Sequence, residues 1–196
     1  MNPTSPKTYM VIKAVLSSLE FTQLGIHKKT DVSIGQINSV THWLLSRNFI
    51  EKTTRRYSVI DPAGIISIFP LFRSMKELLI KTIPVRGSTG DIIDNTPKGS
   101  VLCLDSALER YSPYLRTDRV CIYSRDIKKV TEVFAPYSGG KTVLHIYKPD
   151  MEFETDIVQD KIEITTKLRT VIDLACDNKI YAAKDLFKEL WGLEIG

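Results

Sequence analysis

The first 60 residues place apolar and polar positions in an order that predicts three short helices followed by a β-hairpin. Apolar residues recur every three or four positions over 9–19, 22–29 and 34–47, which is the spacing of a buried helix face. Ser33 is placed to cap the third helix, and Asn48 to end it in the left-handed conformation. The β-rich runs 49–52 and 57–60 then flank a basic turn, which predicts a hairpin.

The pattern changes after the hairpin. Asp61-Pro62 is a helix start, and the apolar run that follows to residue 83 predicts one or two helices that close a first domain. The segment 84–99 is rich in Gly, Pro, Asp, Asn, Ser and Thr, and we interpret it as a linker. Beyond it, helices and strands alternate: the patterns predict helices over 100–111, 126–134, 166–177 and 182–191, and strands over 119–123, 142–147 and 161–165.

Composition places the chain among soluble globular proteins. Of its 196 residues, 43% are apolar and 26% charged, and no apolar run approaches the ~20 residues of a membrane span. We therefore expect a cytoplasmic protein without a membrane partner. Cys103, Cys121 and Cys176 lack the paired spacing of a disulfide framework or a zinc site, so we expect buried structural thiols, no metal and no cofactor.

The charge is unevenly distributed. The net charge is +4, but residues 1–76 carry ten basic and four acidic residues, a local net charge of +6. The remaining 120 residues have 17 basic and 19 acidic residues. A basic first part and a slightly acidic second part favour two domains, the first of which meets a negatively charged partner.

Helix, helix, tight turn, helix and basic hairpin is the order of a winged helix-turn-helix, and its third helix suits the DNA major groove. Its outward positions hold uncharged polar residues, and no acidic residue interrupts them. Cations before the turn and on the hairpin flank this helix, where phosphates would lie. The candidate residues for binding double-stranded DNA are Lys28, Lys29, Ser33, Gln36, Asn38, Ser39, His42, Arg47, Lys52, Arg55 and Arg56. The predicted fold class is α+β, with this winged helix-turn-helix over 1–83, the linker over 84–99 and a mixed α/β domain over 100–196.

Two other functions remain open. The first domain could be a protein-interaction module, and Phe187, Leu190 and Trp191 on the last helix could bind a toxin or another subunit, including a second copy. A metal-dependent nuclease uses two acidic residues and a lysine. Asp150, Asp160 and Lys161 match this set poorly, because Gln159 stands at the position of the second carboxylate. Alternating acids at 150, 152, 154 and 156 are more simply the solvent side of a strand, and 138–142 is a turn rather than a phosphate loop. We expect no enzyme activity.

Two segments of the second half carry a likeness to a known family. Residues 99–111 contain Ser106-Ala107-Leu108, and residues 162–174 contain a β-strand, Thr165-Thr166, Arg169-Thr170 and Asp173. The chain thereby resembles the transcriptional-regulator antitoxins of the abortive-infection AbiE type. That resemblance implies a first domain that represses its own operon, and a second that contributes to repression or neutralises a nucleotidyltransferase-like toxin. The four-residue spacing of Arg169 and Asp173 predicts an ordinary helix salt bridge worth ~0.3 to 0.5 kcal/mol.

Overall fold

A computed structural model describes residues 1–112, 117–151, 155–158 and 162–193, and it shows a mixed α+β protein. The first 60 residues form three helices and a three-stranded antiparallel sheet of strand order β1-β3-β2. These elements are α1 (Pro6–Leu16), β1 (Glu20–Phe21), α2 (Gln23–Thr30), α3 (Ile34–Leu45), β2 (Ile50–Lys52) and β3 (Tyr57–Val59). The predicted helices and hairpin are thus confirmed as elements.

Local signals set most of the boundaries in this part. The Thr22 and Ser33 hydroxyls cap α2 and α3 by accepting the amides of Gly25 and Gln36, and Asn48 adopts a φ of 56° after α3. The first helix begins and ends three residues earlier than predicted. Pro6 lies in its first turn. Leu19, three residues after its end, adopts the left-handed conformation at a φ of 53°.

The segment after the hairpin departs from the prediction. Asp61 does cap α4 (Pro62–Ser67), and a 3-10 turn (Phe69–Leu71) and α5 (Met75–Leu78) follow. Residues 79–83, predicted to be helical, instead belong to strand β4 (Leu79–Val85), which pairs antiparallel with β7 (Thr142–Tyr147). Its β-branched side chains favour an extended backbone, and pairing with β7 satisfies the backbone groups on the side that faces β7.

The predicted linker 84–99 is also part of the folded structure. It contains the end of β4 and helix α6 (Thr89–Asp94), which Ser88 and Asp91 begin with a reciprocal capping box. Ile92 and Ile93 of this helix are buried, so the segment contributes to the core. The predicted helix over 100–111 likewise starts with a strand, β5 (Val101–Leu102), before α7 (Leu104–Tyr111).

The second half is built on a mixed six-stranded sheet of order β4-β7-β6-β5-β9-β8. Strands β6 and β7, and strands β5 and β9, pair in parallel, while the other neighbours are antiparallel. The remaining elements are β6 (Arg119–Tyr123), α8 (Ile127–Phe134), β8 (Thr155–Val158), β9 (Ile162–Thr165), α9 (Lys167–Cys176) and α10 (Lys184–Trp191). The strands and helices predicted here are confirmed, with ends that differ by one or two residues.

The two faces of this sheet bury different clusters. One face packs on α6 and α8, through Ile92, Val130 and Phe134. The other face belongs to a continuous apolar cluster that runs from Val11 of α1 to Phe187 of α10. The Trp191 indole N–H donates to the Leu16 carbonyl at 3.1 Å. Of the three apolar residues of the last helix predicted as a partner surface, Phe187 is buried in this cluster, whereas Leu190 and Trp191 are only partly buried against it.

Within the described ranges, no helix is long and apolar enough to cross a membrane. All three cysteines are free and buried, as predicted. Burial raises the pKa of Cys121 to about 12 and that of Cys176 to about 11, so both thiols are protonated at neutral pH.

Candidate nucleic-acid interface

Helix α3 has a core side and a solvent side, and Ile34 at its start is 43% exposed. Ile37, Val40 and Leu44 are buried, and the buried Thr41 hydroxyl donates to the Ile37 carbonyl, so no polar group of this side lacks a partner. The opposite side exposes small and uncharged polar residues, namely Gly35, Asn38, Ser39, His42 and Ser46. No acidic side chain lies on this helix, which leaves its solvent side free of charge repulsion toward a polyanion.

Gln36 does not belong to the solvent side, contrary to the prediction. It is half-buried, and its amide nitrogen donates to the Thr8 hydroxyl of α1 at 3.5 Å. Its position borders the buried stripe, so the long side chain lies along the neighbouring helix. Ser33 is exposed, and its hydroxyl is occupied by the amide of Gln36 at 3.4 Å.

Asn38 has a partner that sequence reasoning missed. The amide nitrogen of Gln23, the first residue of α2, donates to Asn38 Oδ1 at 3.1 Å. This bond orients the Asn38 side chain and directs its own amide N–H groups away from Gln23. Asparagine and glutamine amides are the groups that pair with both polar atoms of an adenine edge. The signal available in the sequence was the polar side chain of Gln23, because the first residue of α2 faces α3.

The C-terminal end of α3 holds an ordered cation. The guanidinium of Arg47 lies 3.8 Å from the centre of the Trp43 ring, and its Nη1 donates to the Ser46 hydroxyl at 3.2 Å. Stacking and hydrogen bonding fix an exposed arginine in one place, which lowers the entropy lost when it meets an anion. Trp43, in turn, packs against Phe49 at the start of the hairpin.

The hairpin presents basic residues with different surroundings. Lys52 lies over the Tyr57 ring, and Arg56 pairs with Glu20 of β1 at 3.3 Å. Arg55 is exposed at the turn, which the Thr53 amide closes by donating to the Arg56 carbonyl. Both side chains of the Glu20 pair are solvent-exposed, and exposed pairs of this kind contribute little to stability.

Two lysines end α2, where the helix dipole favours cations. Lys28 is exposed, and the Lys29 ammonium donates to the Ser18 hydroxyl at 2.9 Å. Lys29 and Arg56 line one crevice of about 240 Å³ between α2 and the hairpin, together with Glu20. The fold therefore brings two of the predicted cations together from segments 27 positions apart.

A buried ion network was not foreseen from the sequence. Arg73, which lies between the 3-10 turn and α5, donates from Nε and Nη2 to the Asp150 carboxylate at 2.6 and 3.1 Å. Arg169 of α9 donates from Nη2 to Asp150 at 2.7 Å and from Nε to Asp173 at 2.9 Å. The Tyr123 hydroxyl accepts from both arginines, and Asp173 also pairs with Arg73. Both guanidiniums and Asp173 are buried.

This network corrects two expectations. Arg169 and Asp173 are not a solvated helix pair but part of a buried group of four charges. Asp150 is not on the solvent side of a strand, because its side chain is only 23% exposed and both oxygens accept from arginines. Burial by itself would raise the pKa of Asp150, but the hydrogen bond and charge of Arg73, with the charge of Arg169, outweigh it and hold the pKa below the usual value.

The arrangement around Asp150 suits a structural tie rather than metal chemistry. Two guanidiniums occupy the carboxylate that a nuclease would use to hold a cation. The described part of the chain contains no group of three His, Cys, Asp or Glu side chains placed to bind a metal ion. The other members of the nuclease set, Gln159, Asp160 and Lys161, and the acids Glu152 and Glu154, lie outside the described residues.

The glycine turn before β7 is fixed by packing. A Cβ on Gly140 would collide with the Val85 carbonyl of β4, whereas a Cβ on Gly139 would meet only open space. Close approach of β4 thus accounts for Gly140 without a bound phosphate.

Comparisons of the chain with known protein families, with curated proteins and with solved structures find no match.

Proposed function

We propose that this chain is a cytoplasmic, sequence-specific regulator of transcription that binds double-stranded DNA through a winged helix-turn-helix made of α1–α3 and the β2–β3 hairpin. The observation that carries the proposal is the solvent side of α3. A helix can enter the major groove only if its outward side is polar, small and free of acids, and Gly35, Asn38, Ser39 and His42 meet these conditions. The order of helices and strands in the first 60 residues supports the same proposal.

The surrounding charges support a division of roles. Asn38 and His42, on the solvent side of α3, are the proposed contacts to base edges. Lys28 and Lys29 at the end of α2, Arg47 at the end of α3, and Lys52, Arg55 and Arg56 on the hairpin are the proposed contacts to phosphates. Phosphate contacts set affinity and salt dependence, whereas base contacts set sequence preference, so the two groups are separable by experiment.

The phosphate contacts are tested by replacing Arg55 and Arg56 with alanine. Affinity for every duplex should fall, and the slope of log affinity against log salt should decrease by up to ~2, because about two phosphate contacts are lost. Lys76→Ala, on an exposed lysine of α5, is the matched control. Unchanged gel-shift affinity in the double variant would contradict the role of the hairpin.

The base contacts are tested by selecting bound duplexes from a random pool. The wild-type chain should enrich a defined site, and any half-site symmetry in it would reveal binding as a dimer. Asn38→Ala should relax the preference at one or two positions, which corresponds to about 1 to 3 kcal/mol of lost discrimination. Gln36→Ala is the comparison, because a half-buried side chain bonded to Thr8 should change stability more than preference. A pool with no enriched sequence would refute sequence-specific binding.

The repressor and antitoxin part of the proposal rests on the resemblance to the AbiE-type regulators at 99–111 and 162–174. It adds a toxin as the proposed protein partner of the full chain. On α10, Phe187 is buried in the core, whereas Leu190 and Trp191 are partly buried and are the residues left for such a contact. Full-length tagged chain recovered from its native cells should carry a stoichiometric partner. Recovery of the chain alone would leave a repressor without a toxin.

A further inference from the structure

Ile34, the first residue of α3, is an apolar side chain that the fold leaves exposed. It is 43% exposed, and neither apolar cluster of the described residues includes it. The other apolar residues of α3 are buried or half-buried. Core packing therefore does not explain why an isoleucine, rather than a polar residue, begins this helix.

Ile34 borders the solvent side of α3 next to Asn38. An α-helix turns by about 100° per residue, so side chains four positions apart point in directions about 40° apart, and their Cβ atoms lie ~5–6 Å apart. Both side chains are exposed, and the hydrogen bond from Gln23 at 3.1 Å already orients the Asn38 amide. An exposed apolar group and an oriented amide therefore lie side by side, one helical turn apart.

Gly35 leaves the helix backbone next to Ile34 open. A Cβ at this position would meet only open space, so packing does not require a glycine here. Glycine also destabilises a helix relative to alanine. A missing side chain does, however, allow a ligand to approach the backbone closely. The fold alone thus accounts for neither Ile34 nor Gly35, and both lie within one turn of Asn38.

We propose that Ile34 contacts the C5-methyl group of a thymine in the DNA major groove, beside the adenine that Asn38 reads. This inference rests on the proposed function and names the bases that the chain recognises. The first residues of a recognition helix are those that meet base edges. Thymine is the base whose major-groove edge carries an apolar group, and an asparagine amide pairs with both polar atoms of an adenine edge.

The surroundings of Ile34 suit a base edge better than an apolar protein partner. Its exposed neighbours Asn38, Ser39 and His42 are polar, and α3 carries no acidic side chain. The core of a protein interface is a contiguous apolar patch, which a single isoleucine among polar residues does not provide. The major-groove edge of an A·T pair instead presents one methyl group beside polar atoms, so its pattern complements this side of α3.

The helix also sets the spacing of the two base contacts. The Cβ atoms of Ile34 and Asn38 lie ~5–6 Å apart, and successive base pairs are about 3.4 Å apart. The thymine should therefore lie in the same base pair as the adenine or within about two base pairs of it.

Replacing single thymines by deoxyuridine in the duplex selected from the random pool tests the contact, because this change removes only the methyl group. At one position it should lower the affinity of the full-length wild-type chain about fourfold, the effect of losing one buried methyl group. Ile34→Ala should bind the thymine and uracil duplexes equally. Leu71→Ala, on an exposed apolar residue of the 3-10 turn, should keep the fourfold preference. Each variant is compared on two duplexes, so partial unfolding would lower both affinities alike.

A wild-type chain that binds every uracil duplex as tightly as the thymine duplex would overturn the proposal, as would an Ile34→Ala variant that keeps the methyl preference. A selected duplex without a thymine would overturn it too. So would a methyl-sensitive thymine that lies more than about two base pairs from the position at which Asn38→Ala relaxes the preference. A pool without an enriched duplex would refute the proposed function itself, whereas an enriched duplex that is indifferent to uracil refutes the thymine contact alone.

Discussion

Asp150 is the most exposed member of the buried ion network, and its two oxygens hold both arginines. Replacing it with asparagine removes the charge that offsets Arg73 and Arg169 while keeping the shape of the side chain. We expect Asp150→Asn to lower the free energy of unfolding by about 2 to 3 kcal/mol, somewhat below the cost of breaking a completely buried pair. Urea denaturation measures this, with Asp94→Asn on an exposed turn of α6 as a control that should change stability little. A loss in Asp150→Asn no greater than in the control would show that the network does not stabilise the fold.

The same carboxylate predicts a pH dependence. The pKa of Asp150 is lower in the folded chain than in the unfolded chain, so its contribution to stability is present above the unfolded value of about 3.9. It is lost as the pH falls through the lower folded value. The difference in stability between wild type and Asp150→Asn should therefore shrink between about pH 5 and the acid limit of the folded state. A difference that stays constant over this range, in urea titrations at a series of pH values, would contradict the assignment.

Single residues also show what the sequence could and could not predict. The spacing of α3 identified Asn38 and His42 as outward positions, because a helix repeats every 3.6 residues. It misplaced Gln36, since a residue at the border of a buried stripe follows the neighbouring helix rather than its own pattern. The spacing predicted that Arg169 and Asp173 pair, but it did not predict that the pair is buried. The partners Arg73 and Asp150 lie 96 and 19 positions before Arg169, which a helix pattern does not reveal.

Among the elements, α3 allows stability and DNA affinity to be separated at one position. Ser33 caps the helix and is exposed at its N-terminus. Ser33→Ala should cost ~1 kcal/mol of stability through loss of the cap, with a small effect on duplex binding. Ser33→Asp should keep the cap and suit the helix dipole, yet weaken duplex binding because it places a negative charge beside the proposed DNA-facing side.

Thermal unfolding and gel-shift titration of the two Ser33 variants test this opposition. The alanine variant should have the lower midpoint of unfolding, and the aspartate variant the lower affinity. If Ser33→Asp binds duplex as tightly as the wild type at low salt, the N-terminus of α3 does not approach phosphates.

Elements with capping signals were predictable, and the strand β4 was not. Thr22, Ser33, Asp61 and Thr166 all accept a backbone amide near the predicted helix starts. For residues 79–85, apolar residues interrupted by Lys81 and Thr82 fit one side of a helix as well as a strand. The β-branched residues of this run were the available signal, but the pairing that decides the matter comes from β7, more than 55 positions further along.

On the scale of the whole molecule, the segment where the composition changes is itself folded. The composition predicts a linker over 84–99, but this segment holds the end of β4, which pairs with β7, and α6, which packs on the second sheet. The apolar cluster continues from α1 through α9 to α10. The Trp191 hydrogen bond to Leu16 places the end of the last helix against the first part of the chain. Unfolding of one half would expose core surface of the other.

We therefore expect the chain to unfold in a single cooperative transition. Trp43 and Trp191 are the two tryptophans, so in Trp191→Phe the fluorescence reports on Trp43 in the first part alone. Loss of the indole hydrogen bond should cost ~1 kcal/mol, while a phenyl ring keeps most of the packing. Midpoints in urea from Trp43 fluorescence and from far-ultraviolet circular dichroism of the whole chain should coincide. Two separate midpoints would instead show that residues near 84–99 join independently stable domains, and that contacts between α1 and α10 contribute little to the stability of either.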